Sequence, residues 1–463
     1  MNIWTFLLPL PQSRSKRLRL LRTVFTSSIA LEILQKFELD VIKCQRDLVE
    51  ELVGHSNKTV LRMLRELVEV GVLVERIVDG YNKSGRKTRL KCYQLTPLGR
   101  WIKLMVTEPY VMPREVLRNE VLDLYGLLGE SIAKIFTELS IEPEVVFGRM
   151  LVRTLKSLVN SSPRYSRPDV VAVGSTAFDI HVEVSAGLMN PILAEPGGSG
   201  ANVAWCLAAL GTKTKFFSSV GADFEGLLSA SSLVRVGVDI SSLEIHEGKA
   251  TNNVLIIHRG GCEEMIKIVG RGTAISPTLS PPKLRDISAE VYYAGDTYVE
   301  NAAVIAEEAS EKNKLFVYSP TAEIVSYSPS VVANILSRYR PLLIVDEDTT
   351  RRISTTIGFT PRELAELGVE VVVTMGSRGL ILHSKNHSLK FSPPQVKRID
   401  STGAGDVLTA YTIAELLRGE ELEQALRWGV AGGALSVTKL GARTLPSPED
   451  VESYLDQVRV EKL

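Results

Sequence analysis

Apolar residues recur every three to four positions over residues 16–37 (Leu18, Leu21, Val24, Ile29, Leu31, Leu34), the spacing of a helix buried on one face. A second short helix is predicted over 45–53. After the Gly54-His55 turn, Ser56 is placed to cap a third helix that runs to Val70 with Val60, Leu61, Leu64 and Leu67 inward. Gly71 ends it. The period then changes: 72–78 is apolar and extended, 79–85 is turn-rich and 88–95 returns as a strand, which predicts a β-hairpin. Residues 113–160 carry two further amphipathic helical patterns, and Ser-Ser-Pro-Arg-Tyr-Ser-Arg-Pro at 161–168 reads as a linker. Beyond it, strand-like runs at 170–173, 254–257, 315–317, 342–345 and 369–373 alternate with helical stretches at 302–311, 361–366 and 422–437. Such alternation predicts an α/β domain around a mostly parallel central sheet.

These patterns divide the 463 residues into a tail (1–15), an α+β domain (16–112), a helical connector and linker (113–167) and an α/β domain (168–463). Hydrophobic residues at 44% and charged residues at 23% are a globular balance, which excludes wholesale disorder. No run approaches the ~20 apolar residues that a bilayer span needs. The first positive charges follow the apolar opening instead of preceding it, and the four cysteines lie far apart with no ligand spacing. The expected address is therefore the cytoplasm, with no membrane partner. Net charge is zero, but Lys and Arg outnumber Asp and Glu by 19 to 11 up to Pro113 and fall behind, 35 to 43, afterwards. A basic first third ahead of an acidic body suggests a nucleic-acid contact at one end only.

The three helices and hairpin, with the Leu95-Thr96-Pro97-Leu98-Gly99 step into another helix, resemble the winged helix-turn-helix domains of archaeal and bacterial transcription regulators over about residues 16–106. The resemblance implies that the helix after the turn enters the major groove of double-stranded DNA, bringing Ser56, Asn57, Lys58, Thr59 and Arg62 to bases or phosphates. It places Lys83, Arg86, Lys87, Arg89 and Lys91 of the hairpin on backbone phosphates. Helices that follow such a domain often pair two copies, so a homodimer is expected.

Two glycine clusters carry the remaining chemistry. Gly197-Gly198-Ser199-Gly200-Ala201-Asn202 leads into one helical run, and Asp400-Ser401-Thr402-Gly403-Ala404-Gly405-Asp406 leads into another, where helix-start amides suit an anion. Neither fits a Walker A or a dinucleotide pattern. Together with Gly174-Ser175 and Asp179, Val220-Gly221-Ala222-Asp223 and Thr374-Met375-Gly376-Ser377-Arg378-Gly379, they resemble the ribokinase (PfkB) family of sugar and nucleoside kinases over about residues 169–463.

That resemblance implies a ribokinase-like α/β fold with a small lid, ATP as the donor, and a sugar, polyol or nucleoside as the acceptor. Asp406 would be the general base, with the amides of Gly403, Ala404 and Gly405 on the transferring phosphate. Asp179, Gly198 and Asn202, and more weakly Asp296, would bind acceptor hydroxyls; Thr374, Gly376, Ser377 and Gly379 would hold ATP, with Gly441 and Ala442 near the adenine. Asp400 and Thr402 would take a monovalent cation such as K+, and Asp346 and Glu347 the Mg2+, although the family's Asn is missing from Asp346-Glu347-Asp348-Thr349. Ala177 replaces a ribokinase-like Asn and Ser199 a Lys, which points away from ribose itself. The expected protein is an ATP-dependent kinase with a DNA-binding, transcription-regulating domain. The alternative is a transcription regulator whose kinase-like domain is a weakly catalytic metabolite sensor.

Overall fold

The computed structural model describes residues 13–39, 41–81, 87–106, 142–185, 188–259, 264–270 and 287–463, with isolated positions between them. The chain forms two compact units, Met1–Val146 and Phe147–Leu463. Residues 1–12 of the expected tail, the hairpin turn with Lys83 and Arg86, Cys262, and most of the first connector helix lie outside the described residues, whereas Arg14 and Ser15 of that tail already belong to the first helix.

In the first unit, helices Arg14–Phe25, Ser28–Lys36, Gln45–Glu51, Asn57–Glu69 and Pro97–Val106 surround strands β1 (Lys43–Cys44), β2 (Leu73–Tyr81) and β3 (Lys87–Leu95). The strands pair antiparallel in the order β1-β3-β2. The single helix predicted over 16–37 is two helices. Ser27 accepts the Ala30 amide and caps a new start, while Leu20 and Val24 before the break and Ile33 and Leu34 after it enter one core. The apolar period therefore runs on through an interruption. Ser56 caps Asn57–Glu69 by accepting the Thr59 amide at 3.2 Å, as expected. Cys44 and Cys92 face each other across β1 and β3 and are joined in a disulfide, a pairing that their separation of 48 residues did not suggest.

The larger unit contains β4 (Val170–Val173), β5 (Ala177–Ser185), β6 (Leu188–Gly197), β7 (Thr214–Phe217), β8 (Ser219–Gly221), β9 (Glu244–His246), β10 (Asn252–Arg259), β11 (Glu264–Gly270), β12 (Val291–Ala294), β13 (Leu315–Tyr318), β14 (Leu342–Asp346), β15 (Glu370–Thr374), β16 (Leu380–His383), β17 (Ser388–Ser392) and β18 (Arg459–Lys462). Nine of them form one sheet in the order β18-β17-β16-β15-β14-β13-β12-β4-β7. It is parallel from β15 to β7 and antiparallel from β15 to β18. Every residue of β4 and β12 is buried, the signature of strands covered by helices on both faces. Val170, Ala172 and Tyr293 join the core that holds helices Ser199–Ala209, Ala404–Leu417 and Leu422–Ser436. Their neighbours Val171, Val173 and Tyr292 point the other way, toward helices Val299–Glu311 and Pro329–Tyr339.

The run at 254–257 is a strand, but it does not join the central sheet. It lies in β10, within a second sheet of order β11-β10-β5-β6, paired parallel to β5 with Leu255 opposite Ile180. Four apolar residues mark a strand without choosing its partner. Helix Pro143–Ser161 sends Leu155 into the larger unit's core. The expected linker is fastened to the same body: Ser162 and Pro168 are buried, the Tyr165 hydroxyl donates to the Gly237 carbonyl at 2.9 Å, and the Tyr165 amide donates to Asp239 at 3.0 Å. Among the described residues, no helix is long and apolar enough to cross a membrane.

Candidate active site

The second glycine cluster turns the chain from a loop into helix Ala404–Leu417. Gly403 is its N-cap in a left-handed conformation (φ 77°), and a Cβ there would stand 2.2 Å from the Ala442 carbonyl oxygen, so only glycine fits. The Ala404 amide donates to the Ser401 carbonyl at 3.3 Å, and the helix's own ladder begins with the Val407 amide on the Gly403 carbonyl at 2.9 Å. Among the three amides expected to face a phosphate, that of Ala404 is thus already engaged, and the helix-start donors lie around Gly405. Asp400 is buried, its Oδ1 accepting from the Thr402 amide at 3.0 Å and hydroxyl at 2.8 Å and its Oδ2 from the Gly441 amide at 3.0 Å. Burial alone would raise its carboxyl; these donors hold it below the usual carboxylate range.

Asp406, in the first turn of that helix, meets the first glycine cluster. Ser199 Oγ donates to its Oδ1 at 2.5 Å and Asn202 Nδ2 to its Oδ2 at 3.0 Å. Asn202 lies on helix Ser199–Ala209, whose N-cap Gly198 has φ 91° and accepts the Asn202 amide at 2.8 Å. Asp179 on β5 is buried against the bare backbone of Gly197, where a Cβ would stand 2.1 Å from its carboxylate. Asp296 fastens the two turns together: its Oδ1 accepts the Ser175 amide at 3.0 Å and the Gly200 amide at 2.9 Å, and its Oδ2 accepts from the Ser175 hydroxyl. Burial pushes the Asp296 carboxyl up against these donors. It holds backbone in place, a different role from the acceptor contact its sequence position suggested.

A cavity of about 650 Å³ opens beside Gly405 and is lined by Thr374, Gly376, Ser377 and Gly379, the four residues expected to hold ATP. A second cavity of about 320 Å³ is lined by Ser199, Asp296 and Asp406. The two share Asp346, Asp348, Thr374 and Gly405 as walls. Gly441 and Ala442, expected near an adenine, do not line the larger cavity; Ala442 instead donates its amide to Glu195 at 2.6 Å. Its apolar wall comes from Pro393, Pro394, Val430 and Val437. Of the two residues expected to hold Mg2+, Asp346 caps helix Glu347–Thr356 through the Thr349 amide at 2.7 Å, and Glu347 pairs with Arg378 at 2.6 Å.

Residues 167–450 match the sequence profile of the pfkB family carbohydrate kinase. The chain belongs to this family. It is a phosphotransferase with an alcohol group as acceptor, and its relatives are sugar and nucleoside kinases. The chain is 28% identical to an ATP-dependent ribose-1-phosphate kinase of Halopiger xanaduensis over 56% of its own length and 86% of that relative. It is 27% identical to a ribokinase of Haemophilus influenzae over 56% and 87%. The crystal structure of a nucleoside kinase of Methanocaldococcus jannaschii superposes with a TM-score of 0.54 at 22% identity, over 64% of this chain and all of that one, and so shares its fold.

Within this pfkB kinase, sequence reasoning passed over Ser199 as a site residue and missed Arg443 altogether. Arg443 Nε donates to Asn202 Oδ1 at 3.0 Å and Nη1 donates to Ser232 Oγ. His181 and His258 were also missed. They are buried on β5 and β10, and His181 Nδ1 lies 3.0 Å from His258 Nε2 and 3.7 Å from Asp400 Oδ2. The ring planes are within 15° and the centroids 5.3 Å apart. That separation fits two rings laid end to end around one N–H···N bond, which leaves no room for an ion between the nitrogens. In the other unit, Asn57, Lys58, Arg62, Lys87 and Arg89 are exposed, whereas Ser56 and Thr59 bond each other at 2.8 Å within the helix cap, and Lys91 pairs with Glu75 at 2.7 Å.

Proposed function

We propose that the larger unit transfers the γ-phosphoryl group of ATP to a hydroxyl of a small sugar, polyol or nucleoside, and that the smaller unit is a winged helix-turn-helix that binds double-stranded DNA and regulates transcription. The observation that carries the first half is the place of Asp406, in a helix's first turn and in the wall of the smaller cavity, next to Gly405, which borders both cavities. ATP occupies the larger cavity and the acceptor lies against Asp179, Gly198 and Asn202. Asp406 accepts the proton of the acceptor hydroxyl as its oxygen bonds to the γ-phosphorus and the bond to ADP breaks. The amides around Gly405 and the positive end of the helix stabilise the charge on the transferring group.

The carboxylate of Asp346 in the shared wall suits Mg2+, which would offset phosphate charge there; Asp348, paired with Arg351, and Glu347, paired with Arg378, are the weaker ligands. Asp400, a buried carboxylate kept ionised by its donors, suits a monovalent cation such as K+, with Thr402 beside it. An ADP-release screen over sugars, polyols and nucleosides with Mg2+ and K+ tests the reading. At least one acceptor should release ADP with the native enzyme; silence across the panel would overturn it.

The DNA-binding half is supported by the order of helices and hairpin, and by the exposed Asn57, Lys58, Arg62, Lys87 and Arg89 on the two elements that such a domain presents to a duplex. Binding of the full chain to DNA fragments at low salt checks it. Loss of all binding under those conditions removes the regulatory role.

A further inference from the structure

Asn202 has a carbonyl oxygen and an amino group at the end of a side chain that fits its space either way round. Its chemistry depends on which end faces Asp406. Arg443, in the turn after helix Leu422–Ser436, holds the far end in the orientation that Asp406 also demands: a guanidinium only donates, so the Asn202 oxygen must face its Nε, 3.0 Å away. The Asn202 amino group then points at Asp406 Oδ2, 3.0 Å away. In the reversed orientation two donors would oppose each other at Arg443 and two acceptors at Asp406, and both contacts would turn repulsive. With Ser199 donating to Oδ1, both carboxylate oxygens have donors whose directions are set.

The guanidinium is itself fixed by Ser232 on helix Phe224–Arg235. Burial lowers its pKa to about 10, with Glu195, Asp179 and Asp406 pulling the other way, so it stays charged at neutral pH. We infer that Arg443 is a positioning residue for phosphoryl transfer: by holding the Asn202 amide in one orientation, it fixes the carboxylate of Asp406 for proton removal from the acceptor. Its hydrogen-bonded route to Asp406 runs through Asn202. The inference rests on Asp406 being the base.

The test is a double-mutant cycle on steady-state turnover, with the acceptor found by the screen, using Arg443→Met, Asn202→Ala and the pair. Arg443→Met keeps length but removes the donors, and is expected to lower kcat by up to about a hundredfold, the scale of a misplaced catalytic group. The acceptor KM should change far less than kcat. In the Asn202→Ala background the same substitution should change kcat by less than about threefold, because the side chain it orients is gone. Arg443→Lys keeps a charged donor and should recover at least part of the loss; it also serves if the Met variant does not fold. Additive effects of Arg443 and Asn202, or a loss confined to KM, would overturn the inference. Full activity of Asp406→Asn would instead remove the base on which it rests, so the two failures are distinguishable.

Discussion

A carboxylate can act as a base toward an alcohol only where one of its oxygens reaches the hydroxyl and the charge it passes on is stabilised nearby. In the proposed mechanism Asp406 would meet both demands from one helix turn, since the amides around Gly405 and its own carboxylate are a residue or less apart. Asp406→Asn keeps the shape but removes the basicity, and turnover should fall by about two to four orders of magnitude while acceptor binding, followed by calorimetry, persists. Gly403→Ala tests the turn itself. The added methyl would stand 2.2 Å from the Ala442 carbonyl in a left-handed backbone, so the 400–406 loop must shift and kcat should fall sharply. Wild-type kcat in that variant would show that the turn does not place the base. The Gly403–Asp406 cluster was legible in the sequence because all its parts are contiguous. Ser199 reaches Asp406 across 207 residues and Arg443 reaches Asn202 across 241, so no local pattern announces either interaction.

Elements were legible where a single face is buried and unclear where local chemistry interrupts the period. The helix beginning at Asn57 follows from Ser56 and its apolar spacing, but a cap at Ser27 inside an unbroken apolar pattern escapes a search for periodicity. The segment 161–168 shows the reverse error, because Pro, Ser and Arg suggest a tether while two hydrogen bonds of Tyr165 hold it down. Asp239 anchors one of them. Burial would raise its carboxyl, yet the Ser241 hydroxyl and amide, the Tyr165 amide and Lys215 hold it below the usual carboxylate range. A group depressed on folding stabilises the fold above its unfolded pKa, and that contribution is lost as pH falls through its folded value. Near neutral pH trypsin should therefore cut slowly after the exposed Arg164. In Asp239→Asn, which loses the charge that Lys215 pairs with, cleavage there should be faster. Rapid cutting after Arg164 in the native protein would return 161–168 to the status of a free linker.

At the scale of the whole molecule, the division of charge matters more than its zero sum. The excess of basic residues ahead of Pro113 lies in the chain segment proposed to meet DNA, and the acidic excess follows it, in the part of the chain that belongs to the kinase family. If Lys87 and Arg89 each neutralise one phosphate, replacing both by Ala should weaken binding to every DNA sequence alike. It should also flatten the slope of log K against log salt by about two units, close to one for each phosphate no longer neutralised. A sequence-selective loss with an unchanged slope would assign them to base contacts instead. Kinase turnover of the same variant should be unaltered, since both residues lie outside the span matched to the kinase family. Whether the two activities communicate is then a question of linkage: an acceptor that changes DNA affinity by some factor must have its own affinity changed by DNA through the same factor. The two hydrogen bonds of Tyr165 fix 161–168 to the larger unit, so that segment is not a free joint within it. If the two activities communicate, acceptor affinity measured by calorimetry with and without bound DNA should differ, and equal values would make this chain two independent proteins in one.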